Sequence, residues 1–406
     1  MSRVAVTGLG LVCALGNNVA ECWPLIRRGE SRIRPLVRPG TPPYRFSHAA
    51  EAQDFRAEDH FSEKDLLLLD RFALLAAVAA REAVAQSGIC FKGELADRSG
   101  VITGTSLGGQ FSEEEGYIRL FRENLPKVAP LSIPRIMSNA GASRICLEFG
   151  IHGPSYTVST ACSSSNHSIG QAYWMVRSGQ LTAAIAGGSE AVFTEGLLRA
   201  WEAIRVVSPE PCKPFSPDRR GLSLGEGAGM LVLEDWEHAQ ARGVTILGEI
   251  IGFGMSSDAH HITQPCEEGP VNAMRWALRD AGLTPEAVDY INAHGTGTQA
   301  NDVTESQAIR RVFGARADAL PVSSTKSIHG HTLGAAGAIE AVVTLLALQH
   351  GLVPPTANIS SVDRACQIRV IHSEPLAAPL DTAISNTFAF GGLNACLVMR
   401  QFRGSK

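Results

Sequence analysis

Residues 158–175 read Val158-Ser-Thr-Ala-Cys162-Ser-Ser-Ser-Asn-His167-Ser-Ile-Gly-Gln-Ala-Tyr-Trp-Met175. A short β-rich run leads into this stretch and a helical pattern follows it, so Cys162 stands where a strand turns into a helix. Free N–H groups at a helix start favour the reactive thiolate, and the small neighbours leave it accessible. The pattern predicts a nucleophile, although a buried, inert thiol is the usual fate of a free cysteine.

The same alternation of strands and helices runs along the chain. Short β-rich runs ending in small residues predict strands at residues 4–7, 99–103, 156–159, 182–186 and 229–233. Amphipathic patterns predict helices over residues 64–87 and 340–349, closed by Gly88 and Gly351. This order favours a layered α/β fold.

Two internal similarities suggest a duplicated domain. Residues 4–10 resemble residues 249–254 in strand character and glycine spacing, and residues 156–162 resemble residues 382–388 as a strand that enters a tight turn. We expect the two halves to meet near residue 245. The predicted division is therefore 1–245, with Cys162, and 246–406.

Composition limits the class of protein. The chain has 406 residues, 45% of them apolar and 19% charged, with a formal net charge of −4. This is the profile of a globular α/β enzyme, and no basic stripe suits nucleic acid. The nine cysteines form no CxxC pair and indicate reduced thiols in the cytoplasm. No stretch reaches about 18 uninterrupted apolar residues, so we expect no membrane span.

Two further segments bring histidines to glycine-rich loops. One reads Val288-Asp-Tyr-Ile-Asn-Ala-His294-Gly-Thr-Gly-Thr298, and the other reads Val322-Ser-Ser-Thr-Lys326-Ser-Ile-His-Gly-His331 before a helix of small residues. A lone histidine in such a loop is as readily a loop cap as a functional group. His294, His329 and His331 also suit zinc, but no carboxylate or thiol is spaced to complete a site.

The last segment, Ile384-Ser-Asn-Thr-Phe-Ala-Phe390-Gly-Gly-Leu-Asn394, is a strand followed by a glycine-rich turn with two aromatics. Taken alone, it favours a structural turn with core phenylalanines over a mobile loop.

In this order the segments resemble the β-ketoacyl-acyl-carrier-protein synthases of the thiolase superfamily, and most closely the elongating synthases of the second type. The resemblance runs from residue 4 to residue 394 and includes residues 214–221 and 225–229. Residues 163–167 and 261–265 are similar to nodulation synthases, which build specialised acyl chains. The resemblance implies a five-layered αβαβα fold made of two related halves, usually as a homodimer.

Each site residue of the family has a counterpart in this chain. The resemblance implies that Cys162 is the nucleophile, that His294 and His331 are the paired histidines, and that Lys326 supports them in an ion pair with Glu305. The remaining implied residues bind substrate or form the oxyanion hole: the backbone N–H groups of Cys162 and Phe390 for the oxyanion, Thr296 and Thr298 for the pantetheine arm, Leu107 as the gate to the acyl pocket, and Phe388 and Thr263 as further substrate contacts.

The implied activity is that of an acyltransferase. Cys162 accepts an acyl group, and a malonyl thioester then loses CO₂ and attacks it, giving 3-oxoacyl carrier protein and free carrier. Neutral histidines suit this step, because their N–H groups stabilise an enolate oxygen without protonating the carbanion. The resemblance implies acyl- and malonyl-loaded acyl carrier protein as partner, for fatty-acid, polyketide or other lipid synthesis, and no metal, nucleotide or flavin.

Some positions depart from the family pattern. Ala389 stands where the family has glycine, and we expect its Cβ to stiffen the loop. Leu393 replaces a threonine, and residues 66–69 are all leucine where basic residues are usual. For carrier docking the sequence leaves Lys64, Lys127, Lys213, Arg219 and Arg220 as candidates.

Three rival functions are weighed against these residues. A degradative thiolase uses a second cysteine, and none stands in the final glycine-rich loop. A starter-type condensing enzyme has asparagine at the place of His331. A chain-length partner subunit binds carrier protein but lacks the nucleophile, and Cys162 argues against it.

Overall fold

The computed structural model describes residues 2–38 and 43–403. Its strands, in chain order, are β1 (Val4–Cys13), β2 (Arg34–Pro35), β3 (His48–Ala49), β4 (Ser99–Gly104), β5 (Ser155–Val158), β6 (Ala183–Glu190), β7 (Gly227–Asp235), β8 (Gly248–Ser257), β9 (Tyr290–Asn292), β10 (Pro321–Ser323), β11 (Leu352–Val353), β12 (Arg369–Val370), β13 (Leu376–Ala377), β14 (Thr382–Ala389) and β15 (Leu393–Arg400).

The α-helices lie between these strands. They are α1 (Val19–Ile26), α2 (Glu63–Leu66), α3 (Arg71–Ser87), α4 (Glu94–Asp97), α5 (Gln110–Tyr117), α6 (Ser132–Ile136), α7 (Ala140–Phe149), α8 (Ser164–Arg177), α9 (Glu195–Ile204), α10 (Trp236–Ala241), α11 (Glu268–Ala281), α12 (Gln299–Phe313), α13 (Lys326–His329) and α14 (Ala336–His350).

Eleven strands form one sheet in the order β12-β10-β9-β14-β15-β8-β1-β7-β6-β4-β5. The two halves of the chain meet in its middle, where Val4–Val6 of β1 pair antiparallel with 248–250 of β8. Outward from that junction, β1, β7, β6, β4 and β5 belong to the first half, and β8, β15, β14, β9 and β10 to the second. The predicted boundary near residue 245 lies between α10 and β8 and stays a prediction.

Helices cover both faces of this twisted sheet in three layers. Helix α3 packs on β1, β7 and β6, and α7 packs on α3 and β4. Helices α8 and α14 contact each other and both half-sheets, while α11 packs on β8 and β15 on the far side. Separate apolar clusters fill the spaces between these layers. The predicted five-layered αβαβα fold is confirmed.

The middle layer explains the most apolar stretch of the chain. Residues 333–350 form a helical segment long and apolar enough to cross a membrane, but 89% of it is buried inside the protein. Because strands cover α14 on both sides, its residues are mostly apolar on every face of the helix. It is a core helix, and Gly351 ends it in the left-handed conformation.

Two local predictions are wrong. The expected helix over residues 64–87 is broken after α2, because Asp70 caps the start of α3 by accepting from the N–H of Phe72. The expected match between residues 156–162 and 382–388 also fails, since β5 is fifth from the centre of the sheet and β14 is third. The strand placed like β5 is β10, and each leads into a middle-layer helix.

Candidate active site

The predicted catalytic side chains follow two groups of parallel strands, one in each half of the sheet. Strands β4 and β5 are parallel, as are β9, β10 and β14. Their loops carry the predicted site residues Leu107, Cys162, His294, Lys326, His331 and Phe390. A pocket of about 820 Å³ opens here, and Cys162, His294, His331 and Phe390 line it. The structure therefore brings these four together from four separate sequence segments.

Cys162 lies at a sharp turn before α8. Ala161 precedes it at φ 52°, an uncommon conformation for a residue with a Cβ, and the thiol residue is only 7% exposed. Burial raises the pKa of Cys162 to about 11, against the opposing effects of the Lys326 charge and the Phe390 N–H. The N–H group at the helix start lowers this pKa as expected, but burial raises it by more, so the thiol is protonated at rest.

The two expected oxyanion donors lie beside the thiol. The backbone N–H groups of Phe390 and of Cys162 itself lie close enough to the sulfur to lower its pKa. Donors held at the reacting atom without reorganisation are what a developing oxyanion requires.

His294 and His331 face each other with ring centroids 5.4 Å apart and planes at 85°. Burial lowers the pKa of both well below the usual value, and the Lys326 charge lowers it further. Nδ1 of His331 accepts from the N–H of Leu333 at 3.3 Å. Nδ1 of His294 is buried with no hydrogen-bond partner among the described residues. Both rings are therefore neutral at physiological pH.

Lys326 forms its ion pair with Glu340, not with Glu305 as the family resemblance implied. Its Nζ donates to Oε1 of Glu340 at 2.5 Å, and both side chains are 0% exposed. Glu340 lies in the first turns of α14, opposite α13, where Lys326 begins the helix. The packing of these two helices sets the pairing.

Glu305 instead holds the loop that carries His294. Its carboxylate accepts from the N–H of His294 at 2.9 Å, from the N–H of Gly295 at 2.7 Å and from Asn386 Nδ2 at 3.3 Å. Burial raises the pKa of Glu305 to about 7, although these donors and Lys326 oppose the rise. Its role is to orient the loop, and one edge of it reaches the pocket.

The remaining predicted substrate contacts surround the mouth of the pocket. Thr296 and Thr298 are linked by a 3.0 Å hydrogen bond between their hydroxyl oxygens, and both line the pocket with Thr263 and Phe388. Ala389 is the last residue of β14 and adopts the extended backbone of that strand. The left-handed conformations of the turn fall on Gly391 and Gly392, so the Cβ of Ala389 is accommodated without strain.

Leu107 lies behind the thiol rather than at the mouth. It packs in the same apolar cluster as Cys162, together with Phe111, Phe193 and Leu198. Its loop is held by a residue that sequence reasoning missed, Glu190 at the end of β6. A single carboxylate that ends a β-run of small residues was the available signal in the sequence.

Glu190 joins two of the site loops. Its two oxygens accept from the N–H groups of Ser106 at 2.6 Å, Leu107 at 3.3 Å and Gly334 at 3.0 Å. Thr105 Oγ1 donates to it as well, at 2.8 Å. One buried carboxylate thus fixes the loop behind Cys162 and the turn after His331.

His329 does not join the histidine pair as a metal ligand would. Its Nε2 lies 3.1 Å from Thr325 Oγ1, and the side chain is buried in α13. Within residues 2–38 and 43–403 no three His, Cys, Asp or Glu side chains are grouped to hold a metal ion.

Comparison with known proteins now identifies the family. The model for the N-terminal domain of beta-ketoacyl synthase matches residues 1–239, and the model for the C-terminal domain matches residues 247–360. The chain belongs to the β-ketoacyl synthase family. It is therefore an acyltransferase-type enzyme, and its Cys162–His294–His331 pocket lies where its two family domains meet.

Relatives of this synthase span its whole length. It is 44% identical to nodulation protein E of Rhizobium sp. (strain N33), over 98% of this chain and 99% of that protein. It is 38% identical to 3-oxoacyl-[acyl-carrier-protein] synthase 2 of Staphylococcus aureus (strain N315), over 98% of both.

Two solved structures share its fold. The ishigamide ketosynthase/chain length factor superposes with a TM-score of 0.94 at 35% identity, over 99% of this chain and 100% of that one. A type II PKS acyl-carrier protein in complex with its ketosynthase, bound to the hexaketide, gives a TM-score of 0.88 at 28% identity, over 99% of this chain and 100% of that one.

Proposed function

We propose that this synthase joins an acyl group on Cys162 to a malonyl unit by decarboxylative Claisen condensation, and so elongates a carrier-bound chain by two carbons. The observation that carries the proposal is one pocket that holds a thiol, two backbone N–H donors directed at it and a pair of neutral histidines.

In the first half-reaction the sulfur of Cys162 attacks the carbonyl of an acyl thioester. The carbonyl oxygen becomes an oxyanion, which the N–H groups of Cys162 and Phe390 stabilise. The bond to the carrier sulfur then breaks, and the carrier leaves as a thiol with the proton that Cys162 gives up. Because the resting thiol is protonated, that proton must leave as the new carbon–sulfur bond forms.

In the second half-reaction a malonyl thioester loses CO₂ and leaves an enolate. His331 carries its hydrogen on Nε2, since Nδ1 accepts from Leu333, and this N–H is the donor for the enolate oxygen. The enolate carbon attacks the acyl carbonyl on Cys162. The carbon–sulfur bond breaks, and the thiolate takes a proton to restore the resting enzyme.

Lys326 acts on this chemistry through its charge. It lowers the pKa of Cys162 and of both histidines, so it favours a thiolate leaving group and keeps the imidazoles neutral. Its pairing with Glu340 holds that charge at a fixed place in the dry interior.

Acyl carrier protein is the proposed partner, as it is for the ketosynthase solved in complex with one. Among the candidate docking residues, Lys64, Lys127 and Arg220 are exposed. Lys213 is engaged by Glu210 and Asp218. Arg219 is excluded, because its side chain is 0% exposed and pairs with Asp302 and Asp363.

We also propose a homodimer. Strand β5 ends the sheet with β4 as its neighbour, so its other edge offers unpaired backbone groups. Large apolar side chains are exposed on the segment from α5 to α6: Phe121 is 77% exposed and Ile133 is 70% exposed. An unpaired strand edge and an exposed apolar surface each suit burial against a second copy.

We also propose that the enzyme works in the cytoplasm. All nine cysteines are free, which suits the reducing cytoplasm. The likeness to nodulation protein E supports a specialised acyl chain over the primary fatty acids.

Mass spectrometry of the trapped intermediate tests the activity and identifies the chain. The protein is incubated with a mixed pool of acyl carrier thioesters without malonyl donor, digested and analysed. We expect one acyl group or a narrow range of them on the peptide containing Cys162. Acyl groups on other cysteines, or none at all, would contradict the proposal.

A further inference from the structure

A second pocket, of about 620 Å³, opens beside the catalytic one. Arg45, Arg205 and Arg220 line it, with Trp201 and Glu202. The three arginines come from distant parts of the chain: one precedes β3, one ends α9, and one follows the buried Arg219. Three guanidinium groups around one concavity make it electropositive.

No ion pair in the described residues engages these three arginines, although the charge of Arg45 helps to lower the pKa of Glu202. Arg45, Arg205 and Arg220 are exposed and have no ion pair or side-chain hydrogen bond within residues 2–38 and 43–403. Glu202, the one acid that lines the pocket, already has two partners: it accepts from Arg199 at 2.9 Å and from the backbone N–H of Arg45 at 2.5 Å. The guanidinium groups are left available to a ligand.

The backbone presents Arg205 to the pocket at a conformational cost. Arg205 ends α9 in the left-handed region at φ 61°, where its N–H donates to the carbonyl of Glu202. A residue with a long side chain rarely takes this place, which glycine or asparagine usually fills.

Trp201 connects this pocket to the catalytic one. Its side chain lines both pockets, and its ring stacks on Phe390 with centroids 6.3 Å apart. Phe390 in turn directs its N–H at Cys162. Trp201 and Phe390 thus form a shared wall between the thiol and the arginines.

We propose that this arginine pocket, defined by Arg45, Arg205 and Arg220, binds the phosphate group of the phosphopantetheinyl arm that delivers the acyl thioester. The proposal rests on the function proposed above, since that function supplies the thioester. Arginine forks match phosphate oxygens in pairs and remain charged at every physiological pH.

A concave site of this kind fits a single compact anion. Acidic side chains on the surface of a carrier protein are the other source of negative charge at this place. Substrates with and without the phosphate, and with and without the protein, separate the two sources.

The test compares three substrates that carry the same acyl chain: acyl carrier protein, acyl-phosphopantetheine and acyl-pantetheine. The variant is Arg45→Ala/Arg205→Ala/Arg220→Ala. The matched control is Arg27→Ala/Arg34→Ala/Arg364→Ala, which removes three exposed arginines that line neither pocket. The rate of Cys162 acylation is measured for each, at low and at high salt.

We expect the parent protein to acylate faster from acyl-phosphopantetheine than from acyl-pantetheine, by about 10-fold or more in kcat/KM at low salt. The pocket variant removes this preference and leaves the rate with acyl-pantetheine unchanged. The control variant keeps the preference. The acylation rate from the carrier-bound substrate should change in each variant as the rate from acyl-phosphopantetheine does.

Three results would overturn the assignment. The pocket variant keeps the preference for phosphate, or it slows all three substrates equally, or it slows the carrier-bound substrate alone, which would mean that the arginines bind acidic side chains of the carrier. Failure of the underlying function looks different: the parent protein then acylates Cys162 from none of the three thioesters.

Discussion

The backbone N–H of Leu333 donates a hydrogen bond to Nδ1 of His331 at 3.3 Å. Leu333 adopts φ 46° to do so, which is uncommon for a residue with a branched side chain. Because an N–H can only donate, Nδ1 must be the acceptor and the neutral ring carries its hydrogen on Nε2. The strained turn thus selects the tautomer that donates into the catalytic pocket.

The first prediction concerns pH. Burial and Lys326 hold the pKa of His294 and His331 below the ordinary value, so both rings stay neutral as the pH falls through about 6.5. Decarboxylation of malonyl carrier protein should therefore show no loss centred near that pH. Release of labelled CO₂ across the acid range checks this, and a half-maximal rate near pH 6.5 would contradict it.

The same burial predicts that the stability of the protein, unlike its decarboxylation rate, depends on pH in this range. The unfolded histidines bind protons below about 6.5 and the folded ones do not, so the free energy of unfolding falls as the pH drops below that value. Urea unfolding at a series of pH values measures it. Activity that stays flat over a range where stability declines would distinguish the two effects.

A second prediction separates the two half-reactions. Cys162→Ala should abolish acyl transfer, by more than about 1000-fold, and Cys162→Gln should decarboxylate malonyl carrier protein without condensation. His294→Ala and His331→Ala should each still form acyl-Cys162 but release little CO₂. Mass spectrometry of the protein and CO₂ release measure the two halves. Acylation lost with decarboxylation retained in the histidine variants would mean that the roles are inverted.

The sequence predicted the layers, because strand and helix periods and glycine stops are local signals. The family resemblance also grouped Cys162, His294 and His331 as one set, and all three line one pocket. The sequence could not show which buried side chains form ion pairs with each other. The pairing of Lys326 with Glu340 depends on how α13 packs against α14, and no residue spacing reports that.

The third prediction tests that pairing. Glu340→Ala leaves the buried Lys326 charge without its partner, so the free energy of unfolding should fall by about 3–5 kcal/mol. Urea unfolding measures it, with Lys326→Met/Glu340→Leu expected to recover most of the loss. Glu305→Gln is the control, since its side chain can still bond to the His294 loop. A larger loss of stability from Glu305→Gln than from Glu340→Ala would instead support the pairing of Lys326 with Glu305 that the family resemblance implied.

The fourth prediction concerns Glu190, a positioning residue. Glu190→Gln replaces one acceptor oxygen by a donor, which opposes the N–H groups of either Leu107 or Gly334. Since one loop lies behind Cys162 and the other follows His331, we expect kcat to fall about 10- to 100-fold with little change in KM for malonyl carrier protein. Glu190→Asp should restore part of the activity. A loss confined to thermal stability, with kcat unchanged, would show that Glu190 supports the fold alone.

The fifth prediction concerns Arg219 and Arg220, which the sequence analysis grouped together as candidates for carrier docking. Arg219 is buried, and it joins the carbonyl of Ser216 and the carboxylates of Asp302 and Asp363. It also reaches the carbonyl of Thr298 at 3.4 Å, so it braces the loop of the pocket threonines. Arg220, its neighbour, is exposed and lines the arginine pocket.

Charge reversal at these two positions should therefore have opposite consequences. Arg219→Glu places a third carboxylate beside Asp302 and Asp363 in the interior, and should cost about 3–5 kcal/mol of stability or prevent folding. Arg220→Glu should leave the unfolding transition unchanged, raise KM for carrier-bound substrate and weaken its dependence on salt. Unfolding curves and acylation rates for both variants, with Arg219→Lys as a milder change, measure this. Equal stability of the two charge-reversal variants would contradict the internal role of Arg219, because a buried positive charge between two carboxylates cannot be reversed without loss.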